Sequence, residues 1–241
     1  MPNFLVLLVG ELKRMVEYKI AAASVVVALI WIGILYLTEI PDITFIFPLL
    51  IFVDATSMAI LMVGVTIFFE KQEGSLRAIL VSPISKTDYL LSKVVVTVTS
   101  SVLTLIVLYI YALLFKDINL SLIGLLSAVI LVAFFHAQIG FILSYYSRDF
   151  TSLLVNMMKY LFIFFMPTLL VYTGIINHEL FDKAVYLAPT TAAMTLLNAS
   201  TGNVESGDLI YALAYLGIGS VILFVFVLRL FDSFAAREGG V

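Results

Sequence analysis

The chain has 241 residues, of which 63% are hydrophobic and only 12% charged, with a formal net charge of −3. Soluble domains are about 45–50% apolar and about 25% charged, so these figures exclude an ordinary soluble domain and predict an all-α integral membrane protein. The acidic balance gives no footprint for nucleic acid. With no cysteine there is neither a disulfide framework nor a thiolate metal site.

The N-terminal stretch 1–19 does not read as a signal peptide: its apolar run is short, no basic region precedes it, and Glu11 follows closely. On a helix, Phe4, Leu7, Leu8, Leu12 and Met15 share one face, with Lys13, Arg14 and Glu17 opposite. This pattern predicts an amphipathic helix in the inner headgroup layer, its cations toward anionic membrane lipid.

A hydrocarbon core about 30 Å thick needs about 20 apolar residues of helix. Six stretches meet that length, at 20–38, 46–69, 94–115, 120–146, 152–176 and 209–230. A single membrane-spanning domain therefore fills 1–241, with a charged interruption at 70–91 and a long connection at 177–208. Lys and Arg set the orientation. One side collects Lys13, Arg14, Lys19, Lys71, Arg77, Lys86, Lys93, Arg148, Arg229 and Arg237, the other only Lys116 and Lys183. The chain is expected in the cell membrane with both termini in the cytoplasm.

Span 2 carries Asp54, with Ser57, Leu61 and Gly64 on roughly one helical face. An acidic group in a span is costly, so Asp54 and Ser57 are candidates for the outer part of a translocation route. The alternative is a locally satisfied carboxylate near the outer surface. After span 2, residues 70–81 have helix character, with Glu73 and Arg77 spaced i, i+4 and Leu76, Ile79 and Leu80 on one side. Ser82-Pro83 ends that helix, because the residue before proline is pushed out of the α region. Ser85 with Asp88 opens a second helix as a capping box would.

In span 4, His136, Gly140 and Ser144 fall at i, i+4, i+8 beside Ala133 and Ala137, a small-residue packing seam with one buried histidine. Span 5 holds Asn156, a further candidate for the route, and Lys159, which is expected to snorkel to the inner interface. Two histidines this far apart, His136 and His178, give no metal centre. In 177–208 the apolar pieces 180–187 and 190–197 are too short to cross and are split by Ala188-Pro189. They are expected to be re-entrant half-helices dipping into the outer leaflet.

The pattern Glu70, Gly74, Leu76, Pro83 and Lys93 within "EKQEGSLRAILVSPISKTDYLLSK" resembles the cytoplasmic loop of type-2 ABC exporter permeases, in particular the fluoroquinolone-exporter branch. "YLAPTTAAMTLLNASTG" is similar to that family's proline-containing outer segment before the last span. The resemblance implies that 70–91 is a coupling helix seated on a nucleotide-binding subunit, contacted through Glu70, Glu73, Gly74, Leu76, Arg77 and Pro83. It also implies a transporter of two permease chains, alike or different, and two ABC ATPase chains that carry ATP and Mg. The chain itself has no Gly-Lys pair and so no phosphate-cradling loop; no catalytic group or cofactor is expected on it.

Two other classes remain open at this level. An intramembrane hydrolase lacks any His-Glu-x-x-His or Gly-x-Ser-x-Gly signature. An ion-coupled carrier or channel could use Asp54 and Lys159, but no inverted repeat is visible.

Overall fold

The computed structural model describes residues 2–80, 82 and 84–239 of the chain. Six helices are long and apolar enough to cross a membrane: Ile20–Leu37, Phe47–Gln72, Lys86–Phe115, Leu122–Tyr146, Phe150–Tyr172 and Ser206–Phe234. They are called spans 1 to 6 below. Among the described residues there is no strand, and one isolated bridge joins Asp42 to Asp117.

An N-terminal helix, Pro2–Glu17, packs on spans 1 and 3 at one end of the bundle. That end, here the loop end, also holds a short helix Ser75–Leu80. The opposite end, the cap end, holds two helices, Glu179–Tyr186 and Pro189–Asn198. Proline at the first position of the second of these, after Ala188, makes the break expected between the two apolar pieces.

Several boundaries differ from the sequence expectation for reasons visible in the backbone. Span 2 and the loop helix are not one helix over 70–81. Gly74 adopts a left-handed conformation (φ 70°) and stops span 2 at Gln72, so Glu73 lies in the turn, out of helical register with Arg77. Span 3, by contrast, begins at Lys86 where the sequence placed a second helix start: Ser85 accepts from the Asp88 N–H at 3.0 Å and the helix runs unbroken into the apolar stretch. Its 30 residues amount to about 45 Å of helix, so its first turns extend past an apolar core about 30 Å thick. Span 6 belongs to a helix that runs on to Gly239.

Spans 2, 3 and 4 form the interior. In the most apolar window of span 2, 72% of residues are buried, against 17% for spans 1 and 5, which therefore present their apolar sides outward. Inside lipid, helices are held by close packing more than by escape from water. Gly140 is the clearest case: a Cβ there would lie 2.8 Å from the Ile60 carbonyl oxygen and 3.1 Å from Val63 Cβ, so spans 2 and 4 touch backbone to backbone. Toward the cap end the core is Phe47, Ile51, Phe52, Leu105, Leu108, Val129 and Leu197.

Spans 2 and 5 each contain a π-helical turn, Asp54–Met58 and Leu161–Phe165. A π turn frees carbonyls from the regular ladder, and hydroxyls take them up. Thr56 donates to Phe52 O (2.6 Å), and both Thr168 and Thr190 donate to Phe164 O (2.9 and 2.7 Å). Thr190 thus fastens the cap helix Pro189–Asn198 to span 5. The rings of Phe52 and Phe165 stack 4.7 Å apart and tie the two π turns together.

Candidate functional site: a buried ion network at the loop end

Four charged side chains from three elements meet beneath the loop helix. Glu11 and Arg14 come from the N-terminal helix, Glu70 from the last turns of span 2 and Lys93 from the start of span 3. Lys93 Nζ donates to both Glu11 oxygens at 3.1 Å and to Glu70 Oε1 at 2.9 Å. Arg14 pairs with Glu11 at 3.0 Å and with Glu70 Oε1. The Tyr89 hydroxyl donates to Glu70 Oε2 at 2.7 Å, and the Lys93 ammonium lies 5.0 Å from the centre of the Tyr89 ring. Glu70 is 0% exposed, Glu11 and Lys93 each 2%.

Two carboxylates against two cations leave the cluster balanced. Both Glu70 oxygens are occupied, which is the condition for a buried charge to persist. Burial pushes the Glu11 carboxyl above its ordinary value, outweighing the opposing pull of Lys93.

The N-terminal helix therefore differs from its expected orientation. Arg14 does not face outward with Lys13 and Glu17; with Glu11 it turns inward, because Glu70 and Lys93 supply its partners. Leu5, Val6, Val9, Leu12 and Val16 are exposed instead. Just past the end of this helix, the Tyr18 hydroxyl donates to Glu73 Oε2 at 2.7 Å, so the joint that follows it also holds the turn before the loop helix.

A second layer lies beside the network. Leu76 of the loop helix is buried in a cluster with Tyr89, Phe141, Tyr145, Phe231 and Phe234, from spans 3, 4 and the last helix. Tyr145 and Phe234 stack at 4.3 Å, and Tyr89 and Phe231 approach to 5.5 Å. Lys86 Nζ pairs with the Asp232 carboxylate at 2.8 and 2.9 Å, and Lys71 lies over the Phe234 ring. Displacing the loop helix would press at once on spans 2, 3, 4 and 6. That linkage is the mechanical property of the site.

The residues singled out from the sequence fall in several places. Glu70 is in the network, Leu76 in the aromatic cluster, and Glu73 and Gly74 form an exposed corner. Arg77 has a helical backbone, and its side chain and Pro83 lie outside the described residues. Asp54 is buried at the first position of its π turn, and its carboxyl makes no hydrogen bond or ion pair among the described residues. Asn156 donates to Ser147 Oγ at 3.0 Å. A Cβ on Gly64 would meet Leu153, which puts Asn156 about two helical turns nearer the loop end than Asp54. Asp54, Ser57 and Asn156 are thus not gathered at one depth.

His136 is fully buried, its Nδ1 2.8 Å from Val132 O, and its ring packs edge-on to Tyr160. Ser144 donates to Gly140 O at 2.7 Å. Sequence reading gave no role to Glu11 or Tyr89, turned Arg14 toward anionic lipid, and took Lys93 only as part of a pattern and of the charge count. The one signal is for Glu11 and Lys93, charges that border the apolar runs 4–9 and 94–115.

The model of the Fluoroquinolones export permease protein family matches residues 4–238 of this chain. The chain is 25% identical over 233 residues to a fluoroquinolones export permease protein of Mycobacterium tuberculosis strain CDC 1551 / Oshkosh, covering 96% of this chain and 95% of the relative. The same figures hold for the fluoroquinolones export permease protein of strain ATCC 25618 / H37Rv. No solved structure matches.

Proposed function

The chain belongs to the Fluoroquinolones export permease protein family, and from that premise we propose that it is the membrane subunit of an ATP-driven exporter. The loop helix receives the motion of a separate ATPase chain, to which ATP and Mg belong. The observation that supports this reading is the anchorage of that helix by the Leu76 socket, just after the end of span 2 that the Glu11–Arg14–Glu70–Lys93 network fastens. Motion applied at an isolated surface loop would dissipate locally; here it is passed to four spans. Two permease chains and two ATPase chains make up the transporter. The cargo is hydrophobic or amphipathic, with a fluoroquinolone as the first compound to test, and Asp54 with Ser57 lines the outward part of its route.

Gly74 is the position at which to test coupling. It is exposed, and a Cβ there meets nothing within 4 Å inside the chain. Left-handed backbone costs a non-glycine residue about 1–2 kcal/mol, so the fold tolerates Gly74→Trp while a docked partner does not. In a reconstituted complex that variant should insert and assemble normally yet lose cargo-stimulated ATP hydrolysis. In the same assay Asp54→Asn should change the export rate or cargo range and leave basal hydrolysis alone. Normal coupling in correctly assembled Gly74→Trp complexes overturns the reading.

The distribution of Lys and Arg supports a cytoplasmic loop end, with both termini on that side. Because the chain has no cysteine, single cysteines report topology directly. Those replacing Asp42, Asn119 or Asn203 should react with an impermeant thiol reagent on intact cells, and those replacing Ser75 or Asp149 should not. External labelling at Ser75 reverses the orientation and removes the coupling reading with it.

A further inference from the structure

Between spans 1 and 3 a groove of roughly 170 Å³ opens on the outer surface of the bundle. Ala21, Ser24, Val25 and Leu29 wall it on one side and Leu103 and Val107 on the other. Its rim is apolar and exposed, Val25 and Leu29 at 58% and Leu103 at 56%. On its floor the Ser24 hydroxyl bonds to Ile20 O (3.1 Å) and meets Ser100 Oγ at 3.3 Å, so these two hydroxyls are already engaged. The lane is shaped for hydrocarbon.

The loop-end mouth of this groove is the joint between the N-terminal helix and span 1. Met15 lines the groove just before the joint and Ala21 just after it. At the joint Lys19 stands in left-handed backbone (φ 60°), the single non-glycine residue with positive φ among the described residues. Its side chain is exposed, as is that of Lys13, and neither makes an ion pair among the described residues. The neighbouring cation, Arg14, is consumed by Glu11 and Glu70.

We propose that this is a binding site for one anionic phospholipid, an acyl chain lying in the groove and the phosphate held by Lys19 at its mouth. The charge decides the occupant: an apolar lane that ends at an exposed cation with no ion-pair partner among the described residues matches a phosphate-bearing amphiphile of net negative charge. A neutral apolar cargo would leave Lys19 unmatched. Bound there, the lipid wedges the N-terminal helix against span 3, beside the ion network. The leaflet it comes from rests on the topology proposed above; the binding itself does not.

The test uses the purified full-length chain in detergent, incubated with mixed micelles of equal phosphatidylglycerol and phosphatidylcholine, with retained lipid counted by native mass spectrometry. Phosphatidylglycerol should be retained in preference. Lys19→Gln should lower that retention about five-fold, and Val25→Trp, which fills the lane from an exposed position, should abolish it without unfolding the chain. Equal retention of the two lipids overturns the proposal, as does indifference to Lys19→Gln. Loss with Lys19→Gln but not with Val25→Trp also overturns it, since the headgroup is then held at the surface and the groove is empty. Detergent has no sides, so failure here is separate from failure of the topology, which cysteine labelling reads.

Discussion

Replacing Lys93 with methionine should destabilise the folded chain by about 3–5 kcal/mol, the range for removing one partner of a buried ion pair. Methionine keeps most of the side-chain volume, so the loss reads charge and hydrogen bonding more than a cavity. Without the ammonium, Glu11 and Glu70 face each other with Arg14 alone between them. A surplus buried carboxylate relieves itself by taking up a proton. Burial already raises Glu11, so the folded variant binds a proton that the unfolded chain releases. The defect should therefore shrink as pH falls. Adding Glu11→Gln to Lys93→Met restores the charge balance and should recover part of the stability. Thermal unfolding of the detergent-solubilised protein across a pH series measures all three variants. A Lys93→Met variant as stable as wild type, or one whose defect grows at low pH, would show that the network does not hold this end of the bundle.

The second large effect is expected at Gly140. Its missing Cβ is the reason spans 2 and 4 can touch, and the obstacles are the Ile60 carbonyl oxygen at 2.8 Å and the Ile60 Cα at 3.2 Å, which are backbone atoms unable to swing aside. Gly140→Ala should cost about 1–3 kcal/mol by overpacking, and Gly140→Leu should prevent a stable fold. The contact lies between the ion network and the cap-end core, so a forced separation here parts the two central spans along their length. Gly33 is the control: nothing lies within 4 Å of a Cβ there, and Gly33→Ala should be neutral or slightly stabilising through helix propensity. Equal behaviour of the two alanine variants in the same unfolding assay would remove the close-packing account.

What was legible in the sequence follows from the bilayer. A span needs about 20 apolar residues, and that requirement is local, so all six helices could be located by counting. Their ends were less legible, because a helix stops where a cap or a glycine intervenes and not where hydrophobicity fades. The start of the span 3 helix was legible from its cap, Ser85 with Asp88, and not from the apolar window, which Lys86 to Ser92 precede. Glu73 and Arg77 looked like one helical pair until Gly74 turned the chain.

The sequence by itself determined the membrane class, the number of spans, the charged loop between spans 2 and 3 and the break at Pro189, each written in a run of neighbouring residues. The tertiary structure alone decided which charges matter to one another. Glu11 and Lys93 are 82 residues apart in the chain and Arg14 and Glu70 are 56 apart, and no periodicity reports on a partner in another helix. Pairing across helices depends on equal depth and facing direction after packing. The same four charges that read as a solvated face and a loop border become a closed, balanced cluster, because in a low-dielectric interior an ion without a counter-ion is too costly to keep.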